Sequence, residues 1–306
     1  MNDTANNSIF VGYESTRRGW LATVGAGGAV ALSTSLPVAA AQEQPPLSFA
    51  VVINTHLGRQ DKMTAQNQWK TVAEELAETD VKFVLHLGDI VDAGREAQYA
   101  PYKEIRDSIG KPVHEIPGNH DPAEAFAKKI RREVDTTVDH GWLTVVLTNN
   151  SRRTSHDGFF EEAQLDWLAK VCNEAADRGR KILICCHVPV VKNGPPDRAW
   201  YVKPEHGQKR FYEIVTAHKE DTIAVFHGHF HNGIRGWDAH APLHEICFPS
   251  VTYNQNRGLE AKGAPGFNPV EFRPGYCLVT LGDGKLAIDY KPTGADVAAT
   301  KSLATV

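Results

Sequence analysis

Five short apolar runs, spread over the chain between residues 47 and 226, each lead into a block of His, Asp or Asn. Residues 47–53 run into Asn54-Thr55-His56, 82–87 into Gly88-Asp89, and 113–116 into a turn with Gly118-Asn119-His120-Asp121. Residues 181–186 run into His187, and 223–226 into Gly228-His229-Phe230-His231. Runs of this length, rich in Val, Ile, Leu and Phe, predict strands, as does 143–147. The stretches between them repeat apolar residues at helical spacing: Trp69, Val72, Ala73 and Leu76; Tyr102, Ile105 and Ile109, stopped by Gly110; Leu165, Leu168, Ala169 and Cys172; Phe211, Ile214, Val215 and His218. Alternating strand and helix predicts an α/β fold. Such folds place their chemistry beyond the carboxyl ends of the strands, where the polar blocks fall.

Further on, 277–281 and 285–290 flank Gly282-Asp283-Gly284 as a hairpin. Residues 252–275, rich in Gly, Pro and Asn, read as an irregular loop, and 292–306 as a flexible tail. No linker divides 42–291, so one domain is expected there. Hydrophobic residues make up 42% and charged residues 23%, with a net charge of −4. That balance gives no bulk electrostatic attraction for nucleic acid. The five cysteines are odd in number and lack zinc-framework spacing, so they read as buried, reduced thiols.

The first 41 residues are set apart. Ser15-Thr16-Arg17-Arg18-Gly19-Trp20-Leu21 precedes a mild Ala/Gly/Val/Leu stretch and then Ala39-Ala40-Ala41. This resembles a twin-arginine bacterial export signal. It implies the twin-arginine export machinery as a partner and a periplasmic or secreted destination. A stable membrane anchor needs about 20 strongly apolar residues, and Gly, Ser and Thr dilute this stretch.

Imidazoles and carboxylates together suit Zn, Mn and Fe. Alternate residues of an extended segment point the same way, so His229 with His231, and Asn54 with His56, would converge on one pocket if extended. One Asp can bridge two metals, and glycines beside the ligands permit sharp turns. The blocks resemble, in order, the D-x-H, G-D, G-N-H-[DE], H and G-H-x-H motifs of the calcineurin-like metallophosphoesterase superfamily, over residues 49–231. The export signal and Asp121 are most similar to the class III cyclic-nucleotide phosphodiesterase branch.

The resemblance implies a four-layer α-β-β-α sandwich of two mixed sheets with helices outside, and a hydrolase acting on a small phosphorylated substrate. It implies two divalent or trivalent metal ions (Fe, Mn or Zn). Asn54, His56, Asp89 and His231 would hold the first, and Asp89, Asn119, His187 and His229 the second. A bridging hydroxide would attack phosphorus. His120 would stay uncoordinated and protonate the leaving oxygen or stabilise developing charge. Asp121 would either orient His120 or serve as a turn residue.

One block departs from the pattern. Asn54 stands where the motif has Asp, so the first site loses a negative ligand and is expected to bind metal more weakly. That leaves a weakened phosphodiesterase or phosphomonoesterase as the main reading, and a ligand-binding pseudoenzyme as the alternative. His86 and His227 read as structural. His114, His140, His156, His206, His218, His240 and His244 read as surface or packing residues. The stretch 192–206, with Pro195, Pro196, Arg198, Trp200 and Tyr201, reads as a capping loop or a substrate lip. Asn254, Asn256 and Arg257 are open to the same two readings.

Overall fold

The structure is a computed structural model that describes residues 44–59, 62–192, 199–234, 242–255 and 269–306. The export-signal reading of 1–41 lies outside these residues, as do Pro195, Pro196, Arg198, His240, Asn256 and Arg257.

Eleven strands form two mixed sheets among the described residues. The first contains β1 (Leu47–Val52), β2 (Val84–Leu87), β3 (Val113–Ile116), β9 (Gly275–Gly282), β10 (Lys285–Pro292) and β11 (Ala299–Ala304), in the order β11-β10-β9-β1-β2-β3. The second contains β4 (Thr136–His140), β5 (Leu143–Leu147), β6 (Lys181–Cys185), β7 (Thr222–His227) and β8 (Glu245–Cys247) in chain order. The strands that lead to the polar blocks, β1 to β3 and β6 to β7, are parallel to their neighbours in that group. Their carboxyl ends therefore open on one side of each sheet.

Period-two side-chain alternation sorts the residues into layers. Phe49, Val51, Leu85 and Leu87 meet Val145, Leu183, Cys185 and Phe226 between the sheets. Phe49 stacks on Phe83 at 4.8 Å and approaches Phe226 across the gap at 6.4 Å. The opposite-facing Ala50, Val52 and Val84 are covered by Trp69, Val72, Ala73 and Leu76 of α1 (Lys62–Ala77) and by Tyr99 and Tyr102 of α2 (Glu96–Asp107). On the second sheet, Val146, Ile182, Ile184 and Val225 lie under Leu165, Leu168 and Cys172 of α4 (Glu162–Asp177) and Phe211 and Val215 of α5 (Gln208–Ala217). Strands covered on both faces read as continuous apolar runs, which is why the sequence showed them. The layers are α-β-β-α, as expected, and all five cysteines are buried and form no disulfide.

Three elements carry weaker signals and escape the sequence reading: α3 (Ala123–Lys129), β4 and β8. The tail is corrected outright. Ala299–Ala304 pairs antiparallel with β10 in unbroken register, and Ala298, Ala299 and Leu303 pack against the inter-sheet core. An edge strand buries only one side, so its polar alternate residues hid it from an apolar-run reading.

Candidate metal centre

Strand ends alone do not bring the polar blocks together; the backbone must turn sharply. Of seven non-glycine residues at positive φ among those described, five are Asn54 (55°), His56 (43°), Asp89 (54°), His229 (76°) and His231 (56°). This left-handed region costs a non-glycine residue on the order of 1–3 kcal/mol. It also corrects the expectation of extended pairs at Asn54/His56 and His229/His231. Each pair is a twisted turn rather than an extended segment, and His229 and His231 fall in different ligand groups. The turns are held by continued pairing beyond β1 and β2, where Asn54 N–H donates to Gly88 O and His56 N–H to Asp89 O, both at 3.0 Å. Gly118 is required because a Cβ there would lie 2.1 Å from Asp89 Oδ1.

Two groups of possible ligands result, His56/Asp89/His231 and Asp89/His187/His229, and Asp89 belongs to both. Asp89 Oδ2 lies 3.6 Å from His56 Nε2 and 3.3 Å from His187 Nε2. His56 Nε2 and His231 Nε2 are 3.2 Å apart, and His229 Nδ1 and His187 Nε2 are 3.3 Å apart. Such crowded ring nitrogens around one carboxylate fit a shared cation on each side. The two amides complete the set. Asn54 is fully buried with both its Oδ1 and Nδ2 lacking a hydrogen-bond partner, and Asn119 Oδ1 is also unpartnered. Buried polar atoms seldom stay unpaired, so these oxygens fit metal ligands.

The far nitrogens of His187 and His231 are fixed from behind, which sets the tautomer of a metal-binding histidine. His187 Nδ1–H donates to Leu87 O at 2.7 Å and His231 Nδ1–H to Tyr253 O at 2.8 Å. His56 Nδ1 lies 3.2 Å from Asp92 Oδ1. Burial would raise the Asp89 carboxyl, but His187 and His56 hold it well below the usual range. Burial, reinforced by neighbouring imidazoles, pushes His229 and His231 well down, so both present neutral rings. Burial would lower His187 as well, but Asp89 raises it, so a metal bound there would displace its proton.

His120 sits at the rim, partly exposed, with its ring 4.7 Å from that of His56. Its Nδ1–H donates to Asp92 O at 2.6 Å, and its backbone N–H donates to Asp89 Oδ1 at 3.0 Å. Asp121 does not orient it. The Asp121 carboxylate is buried and accepts from the N–H groups of Ile90, Val91 and Gly118 and from Tyr99 Oη–H. It staples the Asp89 and Asn119 turns together, and the assignment of Asp121 as a catalytic group is corrected to that role.

The sequence reading missed Asp92, which forms a third group with His56 and His120. Its signal was present, three residues beyond Asp89 in Gly88-Asp89-Ile90-Val91-Asp92. It also missed Ser250 and Thr252, whose hydroxyls donate to Asn54 O at 3.2 and 2.8 Å. His86 and His227 are buried, and desolvation brings each down to about 3, which suits neutral packing residues. The capping stretch does reach the centre: Trp200 lies 5.5 Å from the His229 ring.

Known proteins agree with this arrangement. The family model for calcineurin-like phosphoesterases matches residues 55–233. A probable glycerophosphodiester phosphodiesterase of Arcobacter nitrofigilis is 29% identical over 181 residues, 54% of this chain and 64% of that protein, just under two thirds of its length. A probable cyclic nucleotide phosphodiesterase of Rhodococcus erythropolis is 26% identical over 280 residues, 86% of this chain and 89% of that one. In fold, the chain is similar to a dimetal phosphatase from Danio rerio, with a TM-score of 0.63 at 12% identity, covering 85% of this chain and 99% of that one. The match to the family model spans more than half of the chain and contains every residue of the centre except Asn54, so the protein belongs to the calcineurin-like phosphoesterase family.

Proposed function

We propose that the protein is a metal-dependent phosphodiesterase that uses the two-sided centre around Asp89. The observation that carries this reading is the sharing of Asp89 by two histidine groups, each with an unpartnered buried asparagine oxygen beside it. Fe, Mn or Zn ions held there would neutralise phosphate charge and acidify water for attack at phosphorus. The chain's own residues supply the rest. His120, with Nδ1 committed to Asp92 O, keeps Nε2 to carry a proton to the leaving oxygen. The relatives named for glycerophosphodiester and cyclic nucleotide hydrolysis support a diester substrate.

Asn54 supports a second reading, a centre that binds phosphate ligands without turnover. The test is hydrolysis of bis(p-nitrophenyl) phosphate and p-nitrophenyl phosphate with added Mn²⁺, for the protein and for Asn54→Asp, with bound metal quantified in both. Turnover by the natural sequence, faster on the diester, is the expected result. Turnover by Asn54→Asp alone favours the second reading, and no turnover by either with both sites filled removes the enzyme reading. The Arg17-Arg18 segment supports export by the twin-arginine route. Arg17→Lys with Arg18→Lys should then retain the protein in the cytoplasm, as read by cell fractionation.

A further inference from the structure

Three rings form a ladder beside the His229 side of the centre. Phe230, which follows His229 in the chain, is fully buried. Trp200 lies nearly parallel to it, at 11° and 6.3 Å between centroids. His156 stacks on Trp200 at 4.3 Å and 20°. The ladder thus begins in the core and ends at an exposed imidazole, whose ring lies 5.7 Å from His229.

Stacked rings with the last one open to solvent make a platform for another planar ring. The lower rungs restrict the imidazole, so little ordering is left to be done on binding. His156 belongs to none of the candidate ligand groups among the described residues. Its place beside the phosphate-binding centre suits it to hold what is attached to the phosphate.

The geometry points to His156, backed by Trp200, as the specificity platform for a planar aromatic ester arm, such as a nucleobase, on the substrate. This inference rests on the phosphoesterase reading of the centre and adds which arm is preferred. A glycerol-type arm has no face to stack and gains nothing from the ladder.

The test measures binding to the metal-loaded full chain by calorimetry, with three probes: inorganic phosphate, glycerol 3-phosphate and adenosine 5′-monophosphate. The natural sequence should bind the adenosine ester about tenfold more tightly than the glycerol ester, the size of one base–aromatic stack. His156→Ala should abolish that preference while inorganic phosphate binds as before, and His156→Phe should restore it. Equal binding of the two esters by the natural sequence, or a preference that survives His156→Ala, overturns the platform. So does a loss of inorganic phosphate binding in His156→Ala, which would make the residue a support of the centre. If the natural sequence binds the adenosine ester but not inorganic phosphate, the platform stands and the phosphoesterase reading falls. If it binds none of the three, both fall.

Discussion

The two halves of the centre draw on the same kinds of ligand and are braced in different ways. Each half offers two imidazoles and shares Asp89, so one carboxylate serves both. The second half is braced from within, since His187 is fully buried and tied to Leu87 O at the end of β2. The first half is braced by a loop: Ser250 and Thr252 hold Asn54 O, and Tyr253 O holds His231. A carboxylate, Asp92, lies directly behind its His56. The second half has its outer carboxylate, Asp121, on the Gly118 N–H beside Asn119. Both halves thus lean on charge one shell out, the first on a ligating ring and the second on the backbone of a turn.

The largest test of this comparison removes what the halves share. Asp89→Asn should empty both halves and lower turnover by at least about a thousandfold, as for groups that act as a unit. Metal analysis after gel filtration checks it. A variant that keeps one full equivalent would show that the second half does not depend on Asp89.

Asn54→Asp sharpens the contrast by restoring a charge to one side only. Metal affinity rises with ligand charge count. The first half should gain roughly 10–100-fold in Mn²⁺ affinity, the span by which single groups around a metal usually act. The second should stay within about twofold. Chelator competition resolves the two equivalents, and a matching gain in both would mean that the amide of Asn54 is not confined to the first half.

Asp92→Asn probes the outer charge. It keeps the shape and an amide oxygen beside His56 and removes the negative charge that faces its Nδ1. The His56 ring holds the Asp92 carboxyl below its usual range, against the effect of partial burial, so the two are coupled. Loss of such a partner typically costs 10–100-fold in metal affinity, and about tenfold is expected here, in the first half alone. An equal loss in the second half would contradict the division of labour.

The sequence made most of this legible where residues act locally. Runs buried on both faces, such as 82–87 and 181–186, stood out because all but Lys82, His86 and Lys181 are apolar, and the layers followed from their alternation with helices. The ligands stood out because their residue types recur in order at strand ends. What stayed hidden depends on distant partners. The left-handed turn at His231 is held by distant partners, Tyr253 O on its ring and Gln255 N–H on its carbonyl, and period-two reasoning gave it and His229 the wrong conformation. Asp121 resembles a catalytic acid in sequence, and only the fold shows its oxygens turned onto the N–H groups of Ile90, Val91 and Gly118. Asn54 was visible at once as a departure, but its unpartnered amide could be recognised only inside the folded core.

The smallest effect concerns how the second half is braced on its outer side. Glu245 on β8 accepts from Val191 N–H at 3.0 Å and from Tyr212 Oη–H, so it anchors the segment that follows His187. Burial, partly offset by these hydrogen bonds, pushes its carboxyl up to about 7. Between the unfolded value near 4.5 and about 7 the folded protein holds the extra proton. Stability from this group therefore falls as pH rises through that window and levels off above it. Glu245→Gln removes the titration and keeps an oxygen acceptor. The variant should gain at most about 2–3 kcal/mol over the natural sequence at pH 8, with the gain shrinking toward pH 5. Urea midpoints at the two pH values check this. Among the described residues of its bracing loop the first half has no buried carboxylate, and neutral hydroxyls hold Asn54 O, so Thr252→Val should weaken the protein by a similar amount at both pH values. A Thr252→Val cost that changed with pH as Glu245→Gln does would mean that the two braces answer to one common titration, and the contrast between them would fail.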